Sequence, residues 1–510
     1  MGREGQQHRH VLLPCPGPPD ETSTGPDGTV TSYGYDALKR QVTTTQNGIT
    51  VSNILNANGD VLGTVRYGTD GSAVVNSLST YSDGGELVSS TDALGHTTTY
   101  TNYFDGSGQN IKITTYPDQT TRLETCAVDG SLLNVSGTAV LPVRYAYGVE
   151  MDGGVQRLYK QEIKLNANGT DTTEWTKTYT DTAGRDYKTL YSSPSGTPAS
   201  LTYFNEAGQL AEQIDPDGVT TLTQYNAKGE PAYTAVDMNG NGVIDFNGND
   251  RITYTTHDVV ANAYNILVNR TCTYAWKTAN ANVANLVSMT ESSVDGLQSW
   301  SIMYNNGVGL TNYSATTYDP LYGYTTSTTV APDGSYSIST SLYGQMESSE
   351  QYDANDNLLG ETTYGYDAQG RQNTLTDARN GTSTSFFNAA DQVVATLTPS
   401  PDGIQAGQFT TNVFDSMGRV IQTRLPDGTS VTNIYYPNGS LQETFGSRTY
   451  PVGYTYDYAG RMKTMTTWTS FATSSGAAVT AWNYDAYRGF LASKAYADGH
   501  GPSYTQIWEY

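Results

Sequence analysis

The sequence predicts an all-β chain of repeated antiparallel hairpins, joined into one long coiled β-sheet strip. Two observations carry this expectation: a composition of strand and turn formers, and a repeat of hairpin length. The 510 residues include 40 Tyr and 52 Gly, against 10 Phe and 6 Trp. Tyr and Thr favour strands, whereas Gly, Asn and Asp favour tight turns. Apolar residues make up only 36% of the chain, too few for a deep core but enough for a thin sheet. In such a sheet a Tyr ring covers ~150–250 Å² and keeps a polar tip.

The repeat unit reads Tyr-x-Tyr/Phe-Asp/Asn-x-x-Gly-Arg/Gln, a short alternation, Pro-Asp-Gly, and a second alternation ending at the next Tyr. It stands at Tyr364–Arg371, Asn412–Arg419 and Tyr454–Arg461, with looser copies from Tyr33, Tyr179, Thr202 and Trp482. The aromatic before Asp or Asn, or before Tyr436 in one copy, falls at Tyr366, Phe387, Phe414, Tyr435, Tyr456 and Tyr484, in steps of 21, 27, 21, 21 and 28 residues.

One copy shows the physics. Arg419–Arg424 is read as a strand, Leu425-Pro426-Asp427-Gly428 as a turn, and Thr429–Tyr435 as the returning strand. Pro fixes φ and Gly accepts positive φ, while Pro437-Asn438-Gly439 supplies the next reversal. The Pro-Asp-Gly turn recurs at Pro26, Pro216, Pro332 and Pro401. Two strands of ~5–6 residues plus two turns fill such a period. A hairpin cannot bury its aromatic face alone, so each must pair with the next, Tyr ring on Tyr ring. Asp36, Asp367, Asp415 and Asp457 share one repeat position. An Asp there bonds the backbone two residues on, a structural role rather than an acid–base one.

This motif at this interval resembles the RHS/YD-repeat family, which includes bacterial Rhs proteins, toxin-complex C components and teneurins. The resemblance covers most of residues 25–510. It implies a spiralling β-sheet shell around a hollow chamber. In bacterial members it also implies a secreted or cell-surface protein whose partner is an enclosed C-terminal toxin or effector domain. Nothing after Ala492 reads as a toxin, and the family's Asp-Pro-x-Gly signature has only a faint echo at Asp319-Pro320-Leu321. The expected chain is therefore a partial shell, not an enzyme. It divides into a disordered or non-native tail (1–24), repeats (25–236), a distinct loop (237–250), divergent repeats (251–345) and further repeats (346–510). Within the divergent part, Val259–Val268 carries enough Ala, Asn and Leu for a short helix.

The loop follows the first part of an EF-hand. Asp237, Asn239, Asn241 and Asp245 supply side-chain oxygens at positions 1, 3, 5 and 9, and Val243 a carbonyl at 7. Gly242 stands at 6 and Ile244 at 8. Ca²⁺ takes six to eight oxygens, and a tight Gly turn lets a short loop wrap it. Position 12 is Gly248, with Asp250 as its possible substitute.

The remaining features exclude more than they assign. A net charge of −23 argues against nucleic acid, whose affinity comes from basic side chains. Cys15, Cys126 and Cys272 have no metal or disulfide spacing. No apolar run approaches the ~20 residues of a membrane span. His96, His257 and His500 lie in separate repeats. A second reading, a surface adhesion array binding glycans, rests on the less periodic Trp175, Trp276, Trp300, Trp468, Trp482 and Trp508.

Overall fold

A computed structural model describes residues 21–276, 284–402, 404–496 and 504–507. Expectations for residues 1–20 (Cys15 among them), Gly403, His500 and Trp508 fall outside these.

Among the described residues forty strands follow one another, each paired antiparallel with its neighbours in sequence. The result is one open strip, all-β as expected. The Leu425 turn closes as read: Gly428 N–H donates to Leu425 O at 3.0 Å, Leu425 N–H to Thr429 O at 2.8 Å, and Gly428 has φ +81. Strands Val420–Arg424 and Ser430–Tyr435 flank it.

The Tyr-Asp turn has its own chemistry. Asp367 Oδ1 accepts the N–H groups of Gln369 (2.9 Å) and Arg371 (3.0 Å), and its Oδ2 accepts Arg371 Nε–H at 2.8 Å. The same pattern holds at Asp36, Asp181, Asp415 and Asp457. Register slips by one residue just before the aromatic, at Gly365/Tyr366, Ile434/Tyr435 and Thr455/Tyr456. That bulge bends the strand and adds twist at every repeat, which is what coils the strip.

The motif aromatics are held differently from the expected ring-on-ring ladder. Tyr435 OH donates to Val420 O (3.0 Å), Tyr456 OH to Leu441 O and Tyr225 OH to Leu210 O (both 2.9 Å), so each ring is pinned to the neighbouring strand. The rings are capped by the Arg of an earlier turn. Arg419 lies 5.0 Å from the Tyr435 centroid, Arg371 4.8 Å from Phe387, Arg461 4.8 Å from Tyr484 and Arg185 4.1 Å from Phe204. A guanidinium stacks on a ring and still reaches polar partners: Arg371 Nη1 donates to Asn388 O at 2.8 Å. A stacked Tyr pair does form between Tyr336 and Tyr352, at 4.7 Å.

The strip is one layer thick. Its accessible surface is 30007 Å², against about 18,000 Å² for a compact monomer of this mass. Polar cross-strand pairs such as Thr45–Thr50 (2.8 Å) and Thr455–Thr464 (2.6 Å) take the place of a second layer. Buried apolar residues cluster under the 237–250 loop: Leu222, Ala235, Ile244 and Ile252, with Tyr233, Phe246 and Trp276 against them.

Two expectations change. Residues 21–24, assigned to the tail, form a strand paired with Val30–Tyr33, because the Gly25–Thr29 turn reverses the chain onto it. Val259–Val268 is a hairpin, not a helix. Strands Arg251–Ala261 and Leu267–Trp276 meet at a turn in which Asn262 Oδ1 accepts the N–H groups of Tyr264 and Ile266. Asn265, with φ +62, fills the glycine place.

Candidate functional site

Because every strand reverses the chain, alternate turns lie on opposite rims of the strip. One rim carries most of the Tyr-Asp turns, the other most of the Pro-Asp-Gly turns. Coiling brings the Tyr-Asp rim of the later repeats onto the Pro-Asp-Gly rim of the earlier ones, joining residues as far as 325 apart in sequence.

This seam is built from side chains on turns. Arg66 donates twice to Asp391 (2.8 and 2.6 Å) and once to Gln369 Oε1 (3.0 Å). Gln369, itself buried, donates to Ser72 Oγ at 2.7 Å, and Thr69 N–H donates to Ala368 O at 2.8 Å. Arg371 reaches Asp391 at 2.9 Å. Further along, Arg419 meets Asp118 (3.3 Å), Arg461 and Tyr458 meet Glu174 (both 2.9 Å), Ser192 Oγ–H donates to Tyr487 O (2.7 Å), and Arg488 faces Asp217 (3.7 Å). The Arg66 hydrogen bonds hold the Asp391 carboxyl below the usual carboxylate range, against the opposing effect of its burial. Where the seam passes Leu141 and Asp457 it leaves a groove of about 570 Å³, lined by Val140, Leu141, Leu165, Asn166, Tyr456 and Lys463.

Asp391 and Glu174 were not singled out in the sequence, although a signal exists. Seam turns of the later repeats end in Gly-Arg at Arg371, Arg419 and Arg461. Earlier turns on the equivalent rim end mostly in Asp60, Glu86, Gln109, Ser131, Gln209 or Glu230.

The 237–250 loop folds back on itself. Asp237 accepts the N–H groups of Asn239 (3.2 Å), Gly240 and Gly242 (both 2.7 Å). Burial pushes its carboxyl up, but the Gly242 and Gly240 donors outweigh this and hold it below the usual range. The Asn239 and Asn241 amides both reach Asp245 Oδ2, at 2.6 and 2.8 Å. Val243 donates its N–H to Asn241 Oδ1 at 2.9 Å, with an exposed side chain. Asp250 is already engaged: its oxygens accept the N–H groups of Met238 (3.0 Å) and Asp245 (2.9 Å). Among the described residues no group of three or more His, Cys, Asp or Glu is placed to hold a metal. Asn239, Asn241 and Asp245 thus meet side chain to side chain, while Asp237 accepts backbone N–H groups of the same loop.

His96 bonds Asp92 in its own turn and His257 bonds Thr271 in its own hairpin, each at 3.1 Å. Cys126 and Cys272 are buried and unpaired. The described tryptophans are buried (Trp300) or half-buried (Trp175, Trp276, Trp468, Trp482). Among the described residues no helix is long and apolar enough to cross a membrane.

No family model and no curated protein matches the sequence. Among solved structures the chain is similar to the crystal structure of TcdB2-TccC3-TEV, at 12% identity and TM-score 0.62, over 91% of this chain and 27% of that one. It is also similar to TcdB2-TccC3-Cdc42 (11%, TM-score 0.55, 94% and 26%) and to TcdB2-TccC3 without the hypervariable C-terminal region (12%, 0.54, 94% and 26%). The chain therefore spans about a quarter of the length of the structures it matches. At such identity the likeness concerns the fold alone, an all-β chain of antiparallel strands in one long sheet.

Proposed function

We propose that this chain is a structural wall segment of a secreted or surface-delivered RHS/YD-type shell that encloses or presents an effector domain. Its role is mechanical rather than catalytic. The observation that carries the reading is the seam: a one-layer strip returns on itself and is locked rim to rim by Arg–carboxylate pairs. Curvature with a seam makes a container wall, and the likeness to TcdB2-TccC3 chains supports it.

Small-angle X-ray scattering tests the wall. A compact 510-residue globule has a radius of gyration of about 24 Å; a curved single layer must exceed it clearly, and a value near 24 Å would refute the reading. Enclosure is tested on the full-length protein, where an effector domain should resist trypsin until the shell unfolds. Immediate digestion of the effector would count against it.

The loop adds a ligand to this reading: Ca²⁺, held by Asp237, Asn239, Asn241, Asp245 and the Val243 carbonyl. The observation favouring it is the convergence of both amides on Asp245 while buried Ile244 holds the loop down. Five protein oxygens leave room for water in a six-to-eight-coordinate shell, which suits the weak, millimolar end of calcium sites. For either amide oxygen to turn inward, the backbone N–H it now accepts, of Asn241 at Asn239 and of Val243 at Asn241, must be released. Calorimetric titration with CaCl₂ should release heat that Asp237→Ala and Asp245→Ala abolish. A flat titration, with a melting temperature indifferent to chelator, sinks the site.

A further inference from the structure

Exposed apolar side chains are scattered along the strip, but six of them are gathered on the Tyr-Asp rim of the earlier repeats. The coil-to-coil contacts described above use the opposite rim of those repeats. Phe104 is 69% exposed, Val128 81%, Tyr147 41%, Val149 56%, Met151 65% and Leu158 63%. Val149 stands opposite Leu158 in the register of its hairpin, and alternation puts Tyr147 and Met151 on the same face. Val128 lies against Gly108 of the turn that follows Phe104, and Tyr147 OH donates to Leu132 O at 2.9 Å, which ties the long hairpin to the Val128 turn. Together they expose roughly 500 Å² of apolar surface, a size at which patches mark binding sites.

Two departures from the repeat create the patch. The first is length: strands Val143–Asp152 and Val155–Leu165 have 10 and 11 residues, against 5 and 6 in Val420–Arg424 and Ser430–Tyr435, so the hairpin projects beyond the rim. Its other face is braced. Lys177 pairs with Glu150 and sits 3.8 Å from the Tyr159 centroid, Tyr179 OH donates to Glu150 at 2.8 Å, and Lys188 reaches Asp152 at 2.7 Å. The second departure is a missing cap. The turn before Phe104 ends in Glu86, where other turns carry the ring-capping Arg, and Glu86 accepts Asn102 Nδ2–H at 2.9 Å instead.

The turns on the Phe104 side of the patch (82–86, 105–109 and 127–131) carry Asp83, Glu86, Asp105 and Asp129 and no Lys or Arg, while Lys112 and Lys160 stand on its face and Asp181 and Arg185 in the turn beyond the long hairpin. We propose that this acid-edged apolar face is a docking surface for a cationic, apolar polypeptide segment. A second copy of the chain, itself at −23, would set the same acids against these, and like charges facing across an interface suppress association. The surface is independent of the shell reading, since it requires only the projecting hairpin and its bare rim.

The test uses the 510-residue chain and two synthetic amphipathic peptides, one of Leu and Lys, one of Leu and Glu, followed by fluorescence anisotropy. The Leu/Lys peptide should bind and the Leu/Glu peptide should not. The triple variant Phe104→Ser, Met151→Ser, Leu158→Ser keeps the net charge and should weaken binding by about tenfold or more, as loss of apolar anchors does. A control triple at other exposed apolar sites, Val259→Ser, Val308→Ser and Tyr450→Ser, should bind as the parent does. Circular dichroism establishes that both variants fold. Equal binding by the patch variant would mean diffuse attraction to an acidic protein and would overturn the proposal. So would binding of the Leu/Glu peptide, an equal loss in the control triple, or sedimentation showing that the patch instead joins two copies.

Discussion

Asp391→Gly separates two opposing effects at the seam. Asp391 has φ +61, the left-handed region that costs a non-glycine residue about 1 kcal/mol. Glycine removes that strain, but its extra freedom in the unfolded chain returns ~0.5–1 kcal/mol. The backbone change is therefore close to neutral. Against it stand two hydrogen bonds from Arg66 and one from Arg371. Arg66 has a side chain only 13% exposed, and it keeps Gln369 as a partner. Charged hydrogen bonds contribute ~1.5–3 kcal/mol when shielded, but Asp391 is 45% exposed, so solvent screening reduces the whole cluster to about 1–2 kcal/mol. At 1.4 kcal/mol per decade, local opening should become roughly 5- to 30-fold easier. Hydrogen exchange of the Thr69 amide reads this directly, because that N–H crosses the seam to Ala368 O. Amides within strand Thr220–Tyr225 serve as the unaffected reference. Unchanged or slower exchange at Thr69 would show that the ion pairs contribute nothing to coil adhesion.

Glycines on the strip should differ sharply in tolerance. Gly428→Ala has open space and only its φ of +81 to oppose it, costing about 1 kcal/mol; Gly446→Ala would place a Cβ 2.0 Å from Ser430 O and should cost several times more, read from urea midpoints. Ile244→Ala removes the buried anchor of the loop and should cost about 2–4 kcal/mol, with loss of any calcium heat in the same sample. The pH response follows from Asp391. Arg66, then Arg371, depress its folded pKa, so its contribution is complete above the unfolded value near ~4 and fades as pH falls through the lower folded one. Thr69 protection, corrected for intrinsic exchange, should be flat from neutrality to about pH 5 and decline below about pH 4; a decline at higher pH would point to another group.

Local chemistry was the legible part of this sequence. Leu425–Gly428 and Asp367–Arg371 fold as their residues require, because a turn is decided by four or five adjacent side chains. The length of the repeat likewise announced the hairpin. What stayed hidden depends on pairs far apart. Asp391 looks like an irregular turn residue until Arg66 is beside it, and Glu174 looks like one more surface acid until Tyr458 and Arg461 arrive. Asn262–Ile266 misled toward a helix because Asn265 does the work of glycine without the glycine signal. Glu21–Thr24 was lost in the tail since a strand of four polar residues has no pattern of its own. The bonds of Asp250 to the Met238 and Asp245 N–H groups were not legible in the spacing either.

The division of the strip into unlike margins restricts how such a wall can grow. Inserting or deleting two strands leaves every later turn on its original side, and the guanidinium-bearing corners still land on carboxylates one circuit below. A change of one strand exchanges top for bottom in everything that follows, setting corners such as Asp367–Arg371 on the wrong border. Length variation in this architecture should therefore come in whole hairpins, and a lone strand gained in one place must be cancelled by another before the coil next meets itself.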